Sequence, residues 1–407
     1  MSSALADLFP LPIVQAPMAG GASCPRLAAA VSEAGGLGFL AGGHKTADGM
    51  YHEIKQLRQL TTRPFGVNLL VPQPDAGVRP GPAGVSGGSA AWPAVGVYRD
   101  QLAGEASWYE TELGDPDGDR DDGYDAKLAV LFDDPVAVVS FTFGCPSPEV
   151  LKAFAHAGTL TIVTVTSSEE ARAAEQAGAD ALCVQGIEAG GHQGTHRDRP
   201  EHDHAGLGLL TLVAQVRESV RLPILAAGGL MRGTQVAAAI AAGADAGQLG
   251  TAFLVTPESG AHSLHKEAIT SPIFARTELT RAFTGRPARV LVNRFMREHG
   301  RYAPAGYPQV HFLTTPLRRA AADAGDPQGM ALWAGQGHRM ARALPAGRLV
   351  EVLAAELDDA RNAAWAPPGR PGRMAPPTDH APTAHAPTGP AAPPGDTANR
   401  PGSDPNR

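Results

Sequence analysis

Short apolar runs recur along the first 255 residues, separated by alanine-rich segments with a different spacing. The runs lie at residues 12–18, 37–42, 65–71, 136–143, 159–166, 179–186, 222–229 and 246–254. Near-continuous apolar runs are typical of parallel strands covered on both faces. Most intervening segments carry apolar residues three and four positions apart and end in glycine, which predicts helices. A doubly wound sheet also fits this alternation, but eight strands favour a (β/α)₈ TIM barrel over residues 1–256.

The remaining segments depart from the barrel repeat. Residues 72–135 form a long connection between the third and fourth strands, and a connection of this length is often a lid or wall of a site. Residues 257–318 predict a small helical cap domain, and residues 319–362 predict closing helices that pack on the barrel. Residues 363–407 are rich in proline and alanine with little to bury, so we expect a disordered tail.

Charge and composition narrow the class of protein. The net charge is −7 and no basic stripe is present, so nucleic acid and anionic membrane surfaces are not expected partners. No apolar stretch approaches the roughly 20 residues of a membrane span, and the N-terminus lacks a signal-peptide pattern. Three cysteines form no disulfide framework. We therefore expect a cytoplasmic protein.

Three motif-like stretches do not support the chemistry that they suggest. Residues 35–41 have a dinucleotide-type glycine spacing, but the glycines lead into a strand instead of opening a helix. Residues 115–126 are acidic, yet they lack the glycine and glutamate of a calcium loop. His196, His202 and His204 lie near His192, but their spacing matches no standard zinc pattern, so we expect no metal site.

Two glycine-containing turns follow the seventh and eighth predicted strands. They are AAGGL at 226–230 and QLGTAF at 248–253, and barrel enzymes commonly hold a phosphate between these two loops. Paired glycines let backbone N–H groups approach a phosphate, and the Thr251 hydroxyl adds a donor. The alternative is that the glycines only make tight turns.

Polar residues also interrupt two apolar strands. Asn68 and Gln185 each need a hydrogen-bond partner, which is either an internal group or a flat heterocycle with carbonyl and N–H edges. His192 follows the sixth strand in a glycine-rich turn, at the end of a barrel where catalytic residues lie. A histidine there can exchange a proton near neutral pH, although a lone loop histidine is more often structural.

Taken together, these stretches resemble the nitronate monooxygenases, a family of FMN-dependent barrel enzymes. The resemblance covers about residues 10–355 and rests on six motifs in order, namely 15–43, 65–70, 139–146, 184–196, 223–230 and 243–254, with 277–289 similar to the family's segment after the barrel. It implies that His192 is the catalytic residue. It also implies FMN contacts from Met18, Asn68, Gln185, Gly190, Gly191, Gly228, Gly229, Gln248, Leu249, Gly250 and Thr251.

The implied reaction is oxidation of an alkyl nitronate by O₂ to a carbonyl compound and nitrite, without reduced nicotinamide. His192 would deprotonate a neutral nitroalkane or orient the anionic nitronate. An FMN-dependent NAD(P)H oxidoreductase of the quinone or enoyl reductase type is the alternative, because it shares the phosphate loops. The oligomeric state is open, and a homodimer is one candidate.

Overall fold

The computed structural model describes Leu5, residues 7–72, 93–118 and 121–200, Asp203, and residues 205–363. The chain divides into a unit of Met1–Trp365 and a unit of Ala366–Arg407, and the second unit lies outside the described residues. Nearly all of the predicted disordered tail, part of the long connection, and His202 and His204 also lie outside them.

Eight parallel strands form one sheet, namely β1 (Ile13–Gln15), β2 (Gly38–Ala41), β3 (Phe65–Leu70), β4 (Val138–Thr142), β5 (Leu160–Val165), β6 (Ala181–Gln185), β8 (Ile224–Ala227) and β9 (Ala246–Leu249). Their hydrogen-bonding order is β1-β9-β8-β6-β5-β4-β3-β2. A bridge between Val14 and Leu37 joins the two ends of the sheet and closes the barrel. Each strand lies within one of the eight apolar runs, and the predicted TIM barrel is confirmed.

Helices follow the strands as in a (β/α)₈ fold. They are α1 (Pro25–Glu33), α2 (Ala47–Leu60), α3 (Pro93–Gln101), α4 (Ala103–Trp108), α5 (Tyr124–Asp133), α6 (Pro148–His156), α7 (Ser168–Ala177), α8 (Leu209–Ser219), α9 (Gly233–Ala241), α10 (Thr251–Leu254), α11 (Ser263–Thr270), α12 (Arg294–His299), α13 (Gln309–Asp323) and α14 (Ala346–Ala363). None of the helices in the described part of the chain has the length and apolar character needed to cross a bilayer.

Local sequence signals explain where several helices begin. The side chains of Thr46, Ser147 and Ser167 accept hydrogen bonds from backbone N–H groups in the first turns of α2, α6 and α7. Such caps satisfy donors that the helix itself leaves unpaired. Gly178 ends α7 with a φ of +98°, a conformation that favours glycine.

The apolar core has two layers, one inside the barrel and one between the barrel and its helices. Leu5 and Phe9 come from the N-terminal segment and join the inner layer with Val14, Leu37 and Phe39. The inner layer therefore fills the amino-terminal end of the barrel with apolar side chains. The opposite, carboxyl end is left for polar chemistry, as in other barrels.

The segment predicted as a helical cap has mixed structure. It contains α11 and α12, but also β10 (Thr277–Thr280) and β11 (Ala288–Leu291), which pair antiparallel. The short strand β7 (Gly191–His192) pairs with β11 and completes a three-stranded sheet. Strands of four residues are too short to show a clear alternation of apolar and polar residues in the sequence.

Residues 93–118 of the long connection pack on this cap segment. Val95, Tyr98 and Leu102 share an apolar cluster with Phe283 and Val310. The hydroxyl of Tyr98 also donates a hydrogen bond to the Ala282 carbonyl over 2.8 Å. This part of the connection thus shares a core with the cap segment, whereas Leu128 and Leu131 of α5 join the core between the barrel and its helices.

Candidate active site

Polar side chains line the carboxyl end of the barrel. The amide of Asn68 donates to the hydroxyls of Ser140 and Thr142 over 2.9 and 3.1 Å. On the other side of the barrel, the Gln248 amide donates to the Cys183 sulfur over 3.2 Å. These internal bonds use only part of the hydrogen-bonding capacity of each amide. The groups are uncharged donors and acceptors, which suit a neutral heterocycle.

Gln185 ends β6 and holds the loop that carries the candidate histidine. Its Nε2 donates to the His192 carbonyl over 3.1 Å, and its Oε1 accepts from the Gly194 N–H over 2.7 Å. An amide Nε2 has two hydrogens and Oε1 has two lone pairs. Gln185 therefore fixes the loop and keeps capacity for a second partner.

His192 lies on β7, where it is paired with Ala288 of β11. Its Nε2 is 2.9 Å from the hydroxyl of Thr284, which lies in the turn between β10 and β11. The histidine thus projects from a short strand held by the cap segment, with its ring fixed at one nitrogen.

Three aromatic rings surround the imidazole of His192. The ring of Phe143 is edge-on at 87° with centroids 5.5 Å apart, and those of Tyr307 and Trp333 lie 5.6 and 5.5 Å away. Phe143 has a φ of +76°, which is an uncommon backbone conformation for a bulky residue. Positions of this kind often occur at functional sites.

Burial keeps the histidines of this region neutral. It lowers the pKa of His192 well below its ordinary value, with smaller effects from nearby cationic groups. Burial likewise lowers the pKa of His44 to about 4 and lowers the pKa of His311. The rings of His44 and His311 stack with centroids 4.1 Å apart. At neutral pH all three imidazoles are therefore uncharged.

The buried guanidinium group of Arg286 and the partly buried one of Arg318 supply positive charge near these neutral rings. Burial lowers the pKa of both Arg286 and Arg318 to about 10, so both stay protonated at neutral pH. Among the described residues, neither has a carboxylate within ion-pair distance. Arg281, in contrast, forms ion pairs with Asp198 and Asp203 at 2.6 and 2.5 Å. The guanidinium groups of Arg286 and Arg318 thus place positive charge within electrostatic reach of His192.

Arginines of the cap segment also hold both ends of the His192 loop. Arg289 donates to the Ile187 carbonyl over 2.9 Å. Arg286 donates to the Gln193 carbonyl over 3.4 Å and to the carbonyl of Thr195. The loop is consequently bound on either side of the histidine.

Glycines bring the backbone of two other loops close to this site. A Cβ at Gly190 would lie 2.5 Å from the Gly335 nitrogen, so only glycine fits there. Gly191 has a φ of +74°, and a Cβ at that position would meet no atom within 4 Å. Gly228 and Gly229, after β8, also have positive φ. The loop therefore borders open space beside His192.

The turn after β9 contains the remaining candidate residues. The Thr251 hydroxyl oxygen accepts from the Gly335 N–H over 2.9 Å, which leaves its hydrogen for another acceptor. Leu249 has its side chain in the core between barrel and helices, so it offers only backbone groups to a ligand. A Cβ at Gly250 would lie 3.7 Å from the sulfur of Met18.

Met18 lies in the turn after β1, and its backbone groups form hydrogen bonds with Ser23 of the same turn. Its N–H donates to the Ser23 hydroxyl over 2.9 Å, and its carbonyl accepts from the Ser23 N–H over 3.0 Å. The carbonyl retains a second lone pair. The structure thus brings the candidate residues to the carboxyl ends of β1, β3, β6, β8 and β9.

His196, which the sequence places near His192, is used in the fold. Its Nε2 donates to the Thr164 carbonyl over 2.8 Å, and its backbone N–H donates to Glu170 over 2.7 Å. These bonds fasten the loop after β7 to the barrel.

Comparison with known proteins identifies the family. The family model described as nitronate monooxygenase matches residues 2–356. A nitronate monooxygenase from Pseudomonas aeruginosa is 40% identical over 356 residues, which cover 85% of this chain and 96% of that protein. This chain belongs to the nitronate monooxygenase family. It is a flavin-dependent oxidoreductase of the family that oxidises nitronates.

Solved structures share this fold, and one of them is a nitroalkane oxidase. A nitroalkane oxidase from Streptomyces ansochromogenes is 72% identical, with a TM-score of 0.84 and coverage of 89% of this chain and 100% of that one. FabK from Thermotoga maritima is 30% identical, with a TM-score of 0.67 and coverage of 89% and 98%.

In this member of the nitronate monooxygenase family, the sequence patterns did not point to several residues that surround His192. They are Phe143, Thr284, Arg286, Tyr307 and Trp333. The run 277–289 carries a signal, because it places arginines among apolar residues. Tyr307 and Trp333 follow glycine-rich or apolar stretches without any distinguishing pattern.

Proposed function

We propose that this enzyme uses FMN to oxidise alkyl nitronates with O₂, and that His192 is its catalytic residue. The net reaction converts two nitronate anions and one O₂ into two carbonyl compounds and two nitrite ions. Each nitronate exchanges its carbon–nitrogen bond for a carbon–oxygen bond and gives up two electrons, formally from the nitrogen that leaves as nitrite, so two nitronates supply the four electrons that O₂ accepts.

The residues at the carboxyl end of the barrel fit a flavin mononucleotide. The amides of Asn68, Gln185 and Gln248 can take up the polar edge of a flat heterocycle with the capacity that their internal bonds leave. The positive-φ glycines and the open space beside Gly191 allow close approach of a large ligand. This donor set contains no charged group, as expected for a neutral ring system.

The two glycine-containing turns would hold the terminal phosphate. Gly228 and Gly229 follow β8, and Gly250 and Thr251 follow β9, the pair of loops that commonly binds phosphate in barrels. The Thr251 hydrogen is available as a donor. Met18, Gly190, Gly191 and Leu249 would contact the cofactor mainly through their backbone.

The observation that carries the choice of substrate is the pair of guanidinium groups of Arg286, which is buried, and Arg318, which is partly buried. Both are protonated and lack a carboxylate partner among the described residues. Buried cations are normally paired, because desolvating a lone charge is costly. A nitronate is an anion, so its binding beside His192 offsets that cost. A small neutral substrate would not.

His192 acts on the proton and on the orientation of the substrate. Because its pKa lies well below the ordinary value, its ring is neutral and offers a lone pair at neutral pH. A neutral imidazole can accept the α-proton of a neutral nitroalkane, or orient a nitronate that is already deprotonated. A neutral nitroalkane, the substrate class named for the nitroalkane oxidase relative, would need its proton removed first.

Aromatic side chains flank the position of His192. Phe143, Tyr307 and Trp333 cover three sides of the imidazole. When bound, the flavin supplies the electron transfer and O₂ chemistry that amino-acid side chains lack. The substrate is itself the reductant, so no nicotinamide is required. The cysteines Cys24, Cys145 and Cys183 are free, which suits a reducing cytoplasm.

Two measurements test this proposal. The cofactor is released from the purified protein and weighed, and recovery of FAD instead of FMN contradicts the cofactor assignment. The protein is then mixed anaerobically with a nitronate or with NADH while its visible spectrum is recorded. We expect the nitronate to change the spectrum and NADH not to do so. The reverse result supports the NAD(P)H oxidoreductase alternative.

A further inference from the structure

Thr284 is fixed at three points next to His192. Its hydroxyl oxygen lies 2.9 Å from the His192 Nε2, 3.2 Å from the Arg286 carbonyl oxygen and 3.4 Å from the Arg286 backbone nitrogen. The residue is 1% exposed. Its backbone N–H donates to the Arg281 carbonyl over 3.2 Å, in the turn that Arg281 anchors through two carboxylates.

A hydroxyl has only one hydrogen to donate, and this determines the protonation of the histidine. If that hydrogen points to His192 Nε2, the Arg286 carbonyl loses its bond from Thr284. If it points to the Arg286 carbonyl, the hydroxyl oxygen can accept from an Nε2–H of His192, and both bonds form. The second arrangement makes one more hydrogen bond within a buried region, where an unmade bond is costly.

We propose that Thr284 is a positioning residue that keeps His192 in the tautomer with hydrogen on Nε2 and leaves the Nδ1 lone pair for the substrate proton. The inference rests on the proposed catalytic role of His192. It assigns the reacting nitrogen and the group that selects it.

The arrangement suits removal of a proton from a neutral nitroalkane. Nδ1 forms a bond to the α-hydrogen, the carbon–hydrogen bond breaks, and its electron pair moves into a carbon–nitrogen double bond with the charge on the nitro oxygens. His192 then carries hydrogen on both nitrogens. The bond from Nε2 to Thr284 is kept throughout, so no group must turn during the transfer. A base oriented by a third group is the general logic of catalytic triads.

The frame that holds Thr284 is the same frame that holds His192. Both residues belong to strands or turns of the β10-β11-β7 sheet, in which Ala288 is paired with His192. A change of the Thr284 side chain that keeps its shape should therefore leave the backbone of this sheet in place. Thr284→Val is such a change, and Thr284→Ser restores the hydroxyl.

Thr314 offers a matched control. Its hydroxyl is also buried, and it donates to the Phe283 carbonyl over 2.6 Å, next to Thr284 in the chain. The described structure records no hydrogen bond between Thr314 and His192. Thr314→Val therefore removes a comparable buried hydrogen bond from the same region without touching the histidine.

The first test observes the tautomer directly. The flavin-loaded protein is labelled with ¹⁵N-histidine, and the His192 signals are identified by their loss in His192→Asn. We expect the shifts of a neutral ring with hydrogen on Nε2 in the wild type and in Thr314→Val, and a mixture of tautomers in Thr284→Val. Hydrogen on Nδ1 in the wild type, or an unchanged tautomer in Thr284→Val, overturns the inference.

The second test measures kcat and KM with a neutral nitroalkane and with its preformed nitronate. For Thr284→Val we expect a loss of kcat of about 10- to 100-fold with the neutral form, below the 10²–10⁴-fold typical of removing a base itself. We expect a smaller loss with the nitronate and recovery in Thr284→Ser. If Thr284→Val behaves like Thr314→Val while His192→Asn is impaired, only the inference fails. If His192→Asn is fully active, the proposed function of His192 fails instead.

Discussion

The guanidinium carbon of Arg286 lies 3.9 Å from the centroid of the Phe143 ring. The same ring also makes a T-shaped contact with the imidazole of His192, with centroids 5.5 Å apart. A cation over an aromatic face is stabilised by about 2 kcal/mol or more when both groups are desolvated. Phe143 therefore links a buried positive charge to the candidate catalytic histidine, and its uncommon backbone conformation puts the ring in that position.

Replacing Arg286 by Met should weaken nitronate binding. The change removes a buried cation, and at an effective dielectric constant of about 20 the attraction to an anion about 4–6 Å away is about 3–4 kcal/mol, which corresponds to a loss of about 100- to 1,000-fold in affinity. It also removes donors from the loop after His192, so some stability should be lost. The measurement is KM for a preformed nitronate, with thermal unfolding recorded beside it.

Arg286→Lys is the matched variant, because it keeps the charge and loses most of the hydrogen bonds. We expect its KM to lie closer to that of the wild type than to that of Arg286→Met. Equal increases in KM for the two variants would indicate that Arg286 acts through the loop geometry and not through its charge.

Replacing His192 by Asn should affect the two substrate forms differently. With a neutral nitroalkane we expect a loss of about 10²–10⁴-fold, because a general base is removed. With a preformed nitronate the proton is already absent, so the loss should be smaller. Bound flavin should remain, since the barrel residues that would hold it are unchanged. Equal losses for both forms would leave His192 as a binding residue only.

The eight barrel strands could be predicted because buried parallel strands are apolar along their whole length. β4, for example, lies inside the apolar run at 136–143. His192 could be found because glycines surround it after the sixth of these runs. Both signals are local in the sequence, and both depend on residues whose type is restricted by their position.

The partners of His192 could not be predicted in the same way. Thr284 is 92 positions away and reaches the histidine only through the pairing of β7 with β11, and β7 has two residues. Phe143 takes a conformation that bulky residues rarely adopt, so its type does not indicate its geometry. The strands of the cap segment could not be predicted either, because strands this short show little alternation of apolar and polar residues.

Acidification below pH 6.5 should destabilise the protein through its buried histidines. Burial lowers the pKa of His265 to about 4, and its Nε2–H donates to the Trp333 carbonyl over 2.8 Å. The unfolded chain takes up a proton near pH 6.5 while the folded chain does so only near pH 4. The corresponding stability, about 3 kcal/mol for a lowering of this size, is therefore present above pH 6.5 and is lost between these values.

Urea unfolding between pH 4.5 and pH 7.5 measures this dependence. His265→Gln keeps an N–H donor but cannot titrate, so its unfolding free energy should fall less steeply with acidification, by about one proton. His44, whose pKa is also lowered to about 4, should behave in the same direction in a His44→Gln variant. An unchanged slope in both variants would contradict the assignment of neutral buried histidines.

Gln185 should differ from Gln248 when either is replaced by Leu, although both amides are proposed to face the flavin. Gln185 also bridges the His192 carbonyl and the Gly194 N–H, whereas the bond described for Gln248 goes to Cys183. Gln185→Leu leaves two loop groups without partners, at a cost of about 1–3 kcal/mol each.

Because both amides are proposed to face the flavin, both variants should retain less FMN after dialysis. Among protein that is reloaded with FMN, only Gln185→Leu should remain slow with a neutral nitroalkane, because the histidine loop is no longer fixed. Equal recovery of the two reloaded variants would show that Gln185 serves the cofactor alone.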